Sequence, residues 1–278
     1  MLAQPRILAR NPAGPAWYAG RVLLDDLLRR RLLILSGKGG VGKSVVGTAL
    51  ALAARDRGKR VLLVEIDTPV SAARFLGSNP AIGHAETEVL PGLFMVNLDP
   101  RTVMDEYVRA TARVDLIARK ILENPVYSKF FAAAPGLPEL MVLGKIMVLE
   151  EERTGFPRRP RFDLVIVDAP ATGHGLSFLK VPLAASNAVP VGPVGHNARR
   201  ILSMLRDPAR TALAVVAIPE EMAVVEATEF AATAEKELGI KAQALILNAC
   251  HERRFTAAGP VEQFTTDGLA PMIRAEAR

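Results

Sequence analysis

Leu32-Leu33-Ile34-Leu35-Ser36-Gly37-Lys38-Gly39-Gly40-Val41-Gly42-Lys43-Ser44 reads as an apolar strand, a turn of the form G-x-x-x-x-G-K-S, and the start of a helix. A triphosphate is cradled by backbone N–H groups turned inward. That demands glycine wherever φ is positive or a phosphate comes close. The helix beginning near Lys43 points its unpaired N–H groups at the same anion. Lys43 is then expected to reach the β- and γ-phosphates and the Ser44 hydroxyl to ligate Mg²⁺. Gly37, Gly39, Gly40, Val41, Gly42 and Val45 complete the expected nucleotide-binding set.

Outward from this loop, short apolar runs alternate with helical stretches, the pattern of a parallel sheet with crossover helices. Strands are expected at Leu32–Leu35, Arg60–Ile66, Leu93–Leu98, Phe162–Val167, Leu213–Ile218 and Gln243–Leu247. Their near-continuous Leu, Ile and Val content fits strands covered on both faces. Helices are expected at Lys43–Arg57, ending at Gly58, and at Glu220–Leu238, ending at Gly239. The stretch Pro100–Glu152 is too long for one crossover helix and is broken at Asn124-Pro125 and Pro135-Gly136, so it reads as an inserted helical subdomain. The fold class is therefore α/β, a P-loop nucleotide-binding domain with a mostly parallel sheet and a helical insert. Residues 1–31 read as an N-terminal extension holding a short amphipathic helix, VLLDDLLRR. Residues 32–255 read as the nucleotide-binding domain, with the insert at about 100–152. Residues 256–278 read as a polar tail, disordered or cut short.

Composition narrows the class. The chain has 278 residues, half of them apolar and 23% charged, which is globular rather than disordered. Its longest apolar runs, such as Val61–Val64 and Ala212–Ile218, fall far short of the ~20 residues a membrane span needs, and no signal peptide is read at the N-terminus. One cysteine, Cys250, excludes an intrachain disulfide and a multi-thiolate metal site, and a cytoplasmic location follows by default. The net charge is +6, but the arginines lie scattered among acids. Solvated charge is therefore the favoured reading and nucleic acid is not an expected partner.

Two acidic strand ends add chemistry. Val64-Glu65-Ile66-Asp67 puts Asp67 at the carboxyl end of a parallel strand, where a carboxylate can orient or deprotonate water beside a γ-phosphate. Asp163-Leu164-Val165-Ile166-Val167-Asp168 has the Walker B form, with Asp168 holding Mg²⁺ through water. Ile218-Pro219-Glu220 and Leu247-Asn248 end two further strands on the same face. An asparagine amide can both donate to and accept from an adenine edge.

Lys38, directly after the first glycine, gives the loop the form GKGGVGK[ST]. Here the chain resembles the dimeric signature-lysine ATPases, among them the Min and Par positioning proteins, nitrogenase iron protein, and the arsenite-pump and tail-anchored-protein-targeting ATPases. The segment Asp168-Ala169-Pro170-Ala171-Thr172-Gly173-His174-Gly175-Leu176-Ser177-Phe178-Leu179 is similar to the D-T-A-P-T-G-H-T-L-R-F-L switch II of the last two groups. Phe130–Leu140 is similar to a P-P-G-I-D-E-like segment of that family. The resemblance implies ATP and Mg²⁺ as ligands and hydrolysis as the reaction. It also implies a dimer, of identical subunits or with a paralogue, in which Lys38 reaches the partner's nucleotide. Asp67 matches the second aspartate of switch I, Asn248 the adenine-reading asparagine, and Pro219 and Glu220 the residues flanking base and ribose. The loop HERRF after Cys250 is placed to cover the adenine, and His174 to stabilise a turn.

The sequence also departs from the family. Thr68 stands between Asp67 and Pro69. The cysteines that gather arsenite and the C-x-x-C pair that clamps zinc are missing, and His84, His174, His196 and His251 show no ligand spacing. Lys180–Thr211 is short, with prolines at 182, 190, 193 and 208 and only Met204 among methionines, leaving little room for a client's membrane helix. Leu137–Leu149 is apolar almost all round if helical, which fits either the subdomain core or an interface. Two rival functions stay open: a Par- or Min-like positioning ATPase acting on DNA or membrane, and a non-hydrolysing scaffold paired with a catalytic paralogue. The client is not named by the sequence.

Overall fold

A computed structural model describes residues 6–10, 17–19, 21–67, 72–77, 82–112, 115–127 and 134–250. The strands are β1 (Arg6–Arg10), β2 (Trp17–Ala19), β3 (Leu32–Gly37), β4 (Val61–Ile66), β5 (Thr87–Leu90), β6 (Leu93–Leu98), β7 (Arg153–Thr154), β8 (Arg159–Pro160), β9 (Leu164–Asp168), β10 (Thr211–Ala217) and β11 (Ala242–Leu247). The helices are α1 (Arg21–Arg29), α2 (Lys43–Arg55), α3 (Pro100–Ala112), α4 (Asp115–Leu122), α5 (Leu137–Glu151), α6 (Thr172–Ala188), α7 (Pro193–Arg206) and α8 (Glu221–Thr233). None of the described helices is long and apolar enough to cross a membrane.

Nine strands form one sheet in the order β2-β1-β11-β10-β3-β9-β4-β6-β5. Its centre, from β11 to β6, is entirely parallel. These are the strands expected from the apolar runs, with ends shifted by a residue or two. The edges differ: β1 and β2 add antiparallel strands beside β11, and β5 folds back antiparallel on β6. Those edge strands were not expected from the sequence. The small ribbon β7–β8 stands apart from the sheet.

Alternation along each strand assigns the two layers, because successive side chains point to opposite faces. Leu33 and Leu35 of β3 join Val46, Leu50, Ala51 and Ala54 of α2 and Leu27 and Leu28 of α1 in one buried cluster. Leu32 and Ile34 face the other way, into a cluster with α5, α6, α7 and α8. Each fully buried Leu or Ile contributes roughly 1.5–3 kcal/mol, so β3, buried along its whole length, anchors both layers. Helix α2 ends before Gly58, which adopts φ 78 as the left-handed exit requires. Helix α8 continues as one wider turn over Ala234–Leu238 and stops at Gly239, φ 68.

The stretch after Pro100 is helical in several pieces, as expected, and α5 belongs mainly to the core. Leu140, Val142, Leu143, Ile146, Met147 and Leu149 are buried in the cluster below the sheet, while Val148 is exposed. Met141, Met147 and Val148 line one wall of a cavity of about 340 Å³ between α3, α5 and α7. Most of Leu137–Leu149 is therefore buried as a core helix, but in the main core against the sheet rather than within a separate subdomain.

At its C-terminal end α5 delivers Glu150, 2% exposed, to the amino ends of the strands. Arg31, just before β3, donates from Nε to Glu150 Oε1 at 3.0 Å and from Nη1 to the Phe162 carbonyl at 2.8 Å. Arg210, just before β10, donates from Nε to Glu150 Oε2 at 3.0 Å. A second arginine nitrogen, Nη2 of Arg210, reaches Glu151 at 3.0 Å, and Arg200 meets that same Glu151 at 2.7 Å. A buried carboxylate is tolerable only when its lone pairs are satisfied in this way.

Candidate functional site

The loop after β3 closes the carboxyl end of the sheet. Gly37, Gly40 and Gly42 take φ values of 152, 83 and 85, in the region L side chains rarely adopt. Space matters as well. A Cβ on Gly37 would lie 2.2 Å from the Val216 carbonyl oxygen, and one on Gly42 would lie 2.3 Å from Asn248 Nδ2. Gly39 meets nothing within 4 Å, so its glycine is not required by neighbouring protein atoms. Val41 is buried in the cluster of α1, α2 and β3, whereas Val45 is 48% exposed on the first turn of α2.

Lys43 opens α2 and bends its ammonium over the loop, donating to the carbonyls of Gly37 at 3.1 Å and Lys38 at 3.2 Å. Burial lowers its pKa, and the nearby Asp168 carboxylate opposes that shift. Ser44 follows, and its hydroxyl donates to Asp168 Oδ2 at 2.5 Å. Asp168 ends β9, in register with Leu35 of β3 on one side and Glu65 of β4 on the other. The Ala169 amide bonded to the Leu35 carbonyl at 3.0 Å fixes the chain just beyond it. Burial raises the Asp168 pKa, countered by the Ser44 hydrogen bond and the Lys43 charge. Asp168 Oδ1 is buried with no hydrogen-bond partner among the described residues. Such an oxygen is costly unless something positive faces it, and with the Ser44 hydroxyl beside it the donor set is oxygen only. That chemistry fits Mg²⁺ or its water shell.

The other expected residues gather at the same end of the sheet. Asp67 follows β4, with its side chain exposed, its N–H bonded to the Leu98 carbonyl at 3.1 Å and its φ at 44. A non-glycine residue at positive φ is uncommon, and Asp is among the few that tolerate it. Thr68 and Pro69, whose order departs from the family, lie outside the described residues. Glu65, one strand turn earlier, is 1% exposed and accepts the Ala72 N–H at 2.6 Å. It thereby anchors the chain on the far side of residues 68–71, a role the sequence reading did not give it. Gly175 in the first turn of α6 packs so near β3 that a Cβ there would lie 2.7 Å from Ser36 Oγ. Thr172, Gly173 and His174 begin that helix, and the side-chain role expected for His174 lies outside what is described.

Pro219 and Glu220 are exposed in the turn between β10 and α8. Asn248 follows β11, and its amide nitrogen donates to the Val41 carbonyl at 2.9 Å. One of the two N–H donors of the amide expected at an adenine edge is therefore engaged by the loop. Lys38 is half-exposed and its ammonium lies 2.8 Å from Glu226 Oε1 on α8 of its own chain. Neither of these long-range contacts was foreseen. The HERRF loop, the polar tail and residues 130–133 lie outside the described residues.

A mostly parallel sheet carrying a G-x-x-x-x-G-K-S loop, a serine paired with a Walker B aspartate and one further acidic strand end, Asp67, defines a P-loop nucleotide-binding protein. The model of the anion-transporting ATPase family matches residues 30–191, more than half of the 278-residue chain, and the chain belongs to that family. ATPase BagA of Mycobacterium tuberculosis is 29% identical over 206 residues, covering 72% of this chain and 59% of BagA. The arsenical pump-driving ATPase of Escherichia coli is 28% identical over 236 residues, covering 78% of this chain and 39% of that protein. The arsenical pump-driving ATPase of Acidiphilium multivorum is 29% identical over the same length, again 78% and 39%. The chain spans less than two-thirds of the length of each of these relatives.

Proposed function

We propose that this chain binds MgATP at Gly37–Ser44 and hydrolyses it, using the hydrolysis to switch a dimer, of identical subunits or with a paralogue, between open and closed forms for a protein client. The carrying observation is the Ser44–Asp168 pair, with a buried, unpartnered Asp168 oxygen beside it, at the mouth of a glycine loop that admits no side chain at Gly37 or Gly42. Ser44 and Asp168 would hold Mg²⁺, which supplies charge neutralisation to the phosphates when bound. Lys43 turns from its two carbonyls to the β- and γ-phosphates. Burial has already removed part of the hydration of this ammonium, so the exchange sacrifices less solvation than a fully hydrated lysine would. Asp67 orients the attacking water, and Pro219 and Glu220 flank the base and ribose.

The binding half is tested with Lys43→Ala. Loss of charge-assisted contacts worth ~1.5–3 kcal/mol each should weaken ATP at least tenfold. Titration calorimetry returning wild-type affinity for that variant would remove the loop from the site.

Lys38 carries the dimer reading. Its ion pair with Glu226 is exposed, so leaving it costs only about 0.2–1 kcal/mol, little beside the charge it would meet on a partner's triphosphate. Specific activity should then rise with protein concentration before saturating. Mixing Lys38→Ala with Asp67→Asn subunits should restore turnover that neither parent has, because one site of the mixed dimer keeps its own Asp67 and borrows the partner's Lys38. A mixture that stays inactive, with mixed dimers present by mass measurement, would place Lys38 in its own subunit's chemistry.

A further inference from the structure

We infer that Asn248 is a positioning residue for the phosphate loop: its amide holds the Val41 carbonyl outward, so that binding of any polyphosphate depends on it, with or without a base. The inference rests on the reading of Gly37–Ser44 as a triphosphate site. A loop whose N–H groups all converge on an anion must turn its carbonyls the other way, and each of those needs a donor. For four of the loop carbonyls the donors can be named. The carbonyls of Gly37 and Lys38 accept from Lys43, and that of Gly42 accepts from the Val46 N–H inside α2. Val41 has Asn248, a residue 207 positions away in the chain.

The contact is well defined. A carbonyl can only accept, so the side-chain nitrogen of Asn248, and not its oxygen, must face Val41. Asn248 is itself tied down, its N–H bonded to the Ala217 carbonyl at the end of β10 at 2.8 Å. The next residue, Ala249, takes φ 54, in the left-handed region. On the loop side, Gly42 leaves the space the amide occupies, since any Cβ there would sit 2.3 Å from Nδ2. Gly42 is thus required twice, by its φ of 85 and by the amide packed against it.

The four carbonyls differ in permanence. Lys43 must leave Gly37 and Lys38 to reach phosphate. Asn248 is not asked to reach a phosphate, so its bond to Val41 persists through binding and keeps the loop in shape while the lysine moves. Coupling follows, because the loop is pinned to the ends of β10 and β11, the same ends that carry Pro219 and the turn after Asn248.

The test compares MgATP with magnesium tripolyphosphate, which has no base, on wild-type and Asn248→Ala protein. Loss of this one part-buried hydrogen bond should weaken both about three- to tenfold and leave their ratio unchanged. Amide hydrogen exchange without nucleotide should quicken in residues 37–44 and not across the sheet. If Asn248→Ala weakens ATP but not tripolyphosphate, the residue reads the base and the inference is wrong. Unchanged affinity for both, or unchanged exchange in the loop, also overturns it. Wild-type protein that binds neither probe would instead remove the triphosphate site on which the inference stands.

Discussion

Asp67→Asn protein is expected to bind MgATP with near wild-type affinity and to hydrolyse it ~10²–10⁴-fold more slowly, the usual worth of general-base assistance. The substitution suits the position. Asp67 has φ 44, and asparagine adopts the left-handed region as readily as aspartate, so no strain is added. Its N–H bond to the Leu98 carbonyl is a backbone contact and survives. What is lost is the charge that orients or deprotonates water. Single-turnover phosphate release measures that loss apart from nucleotide exchange. Turnover within about threefold of wild type would dismiss Asp67 from the reaction and leave the water to backbone groups.

Glu150→Ala is expected to destabilise the fold by about 3 kcal/mol, the low end of the ~3–5 kcal/mol cost of breaking a buried ion pair. The low end applies because Arg31 and Arg210 keep 23% and 27% of their side-chain surface in water and can rehydrate. The damage exceeds one pair nonetheless. Glu150 is shared by two arginines that begin adjacent strands, and Arg31 also holds the Phe162 carbonyl ahead of a third. Glu150→Gln keeps an acceptor and should cost less. Urea unfolding would register both losses as a fall in midpoint at constant slope. A Glu150→Ala midpoint equal to wild type would show that the cluster contributes nothing net.

How far the sequence revealed this molecule depends on the range of the interactions involved. The central strands were legible because burial on both faces leaves uninterrupted runs such as Leu32–Leu35 and Leu62–Val64. The edge strands RILAR, WYA and TEVL were not, since a strand covered on one side, or closing an edge, mixes polar and apolar residues as any loop does. The phosphate loop announced itself through glycine spacing, a local demand of backbone geometry. Asn248 was picked out as a residue near the nucleotide, yet its bond to Val41 was invisible, because no local pattern records a contact between β11 and the loop after β3. Glu226, 188 positions from Lys38, was missed for the same reason. Leu137–Leu149 showed that it had to be covered but not by what, and the sheet turned out to be most of the answer.

The Glu150 cluster sits at the amino ends of strands whose carboxyl ends carry Gly37 and Asp168. At ~3.3 Å per residue, the six residues of β3 put about 20 Å between the two. Perturbations that far apart, with no shared partner, combine additively to within about 0.3–0.5 kcal/mol. The molecule therefore has two poles that can be tuned independently. Its melting temperature can be raised or lowered at the arginine end, for crystallisation or for capture of short-lived assemblies, without re-measuring every constant of the phosphate end.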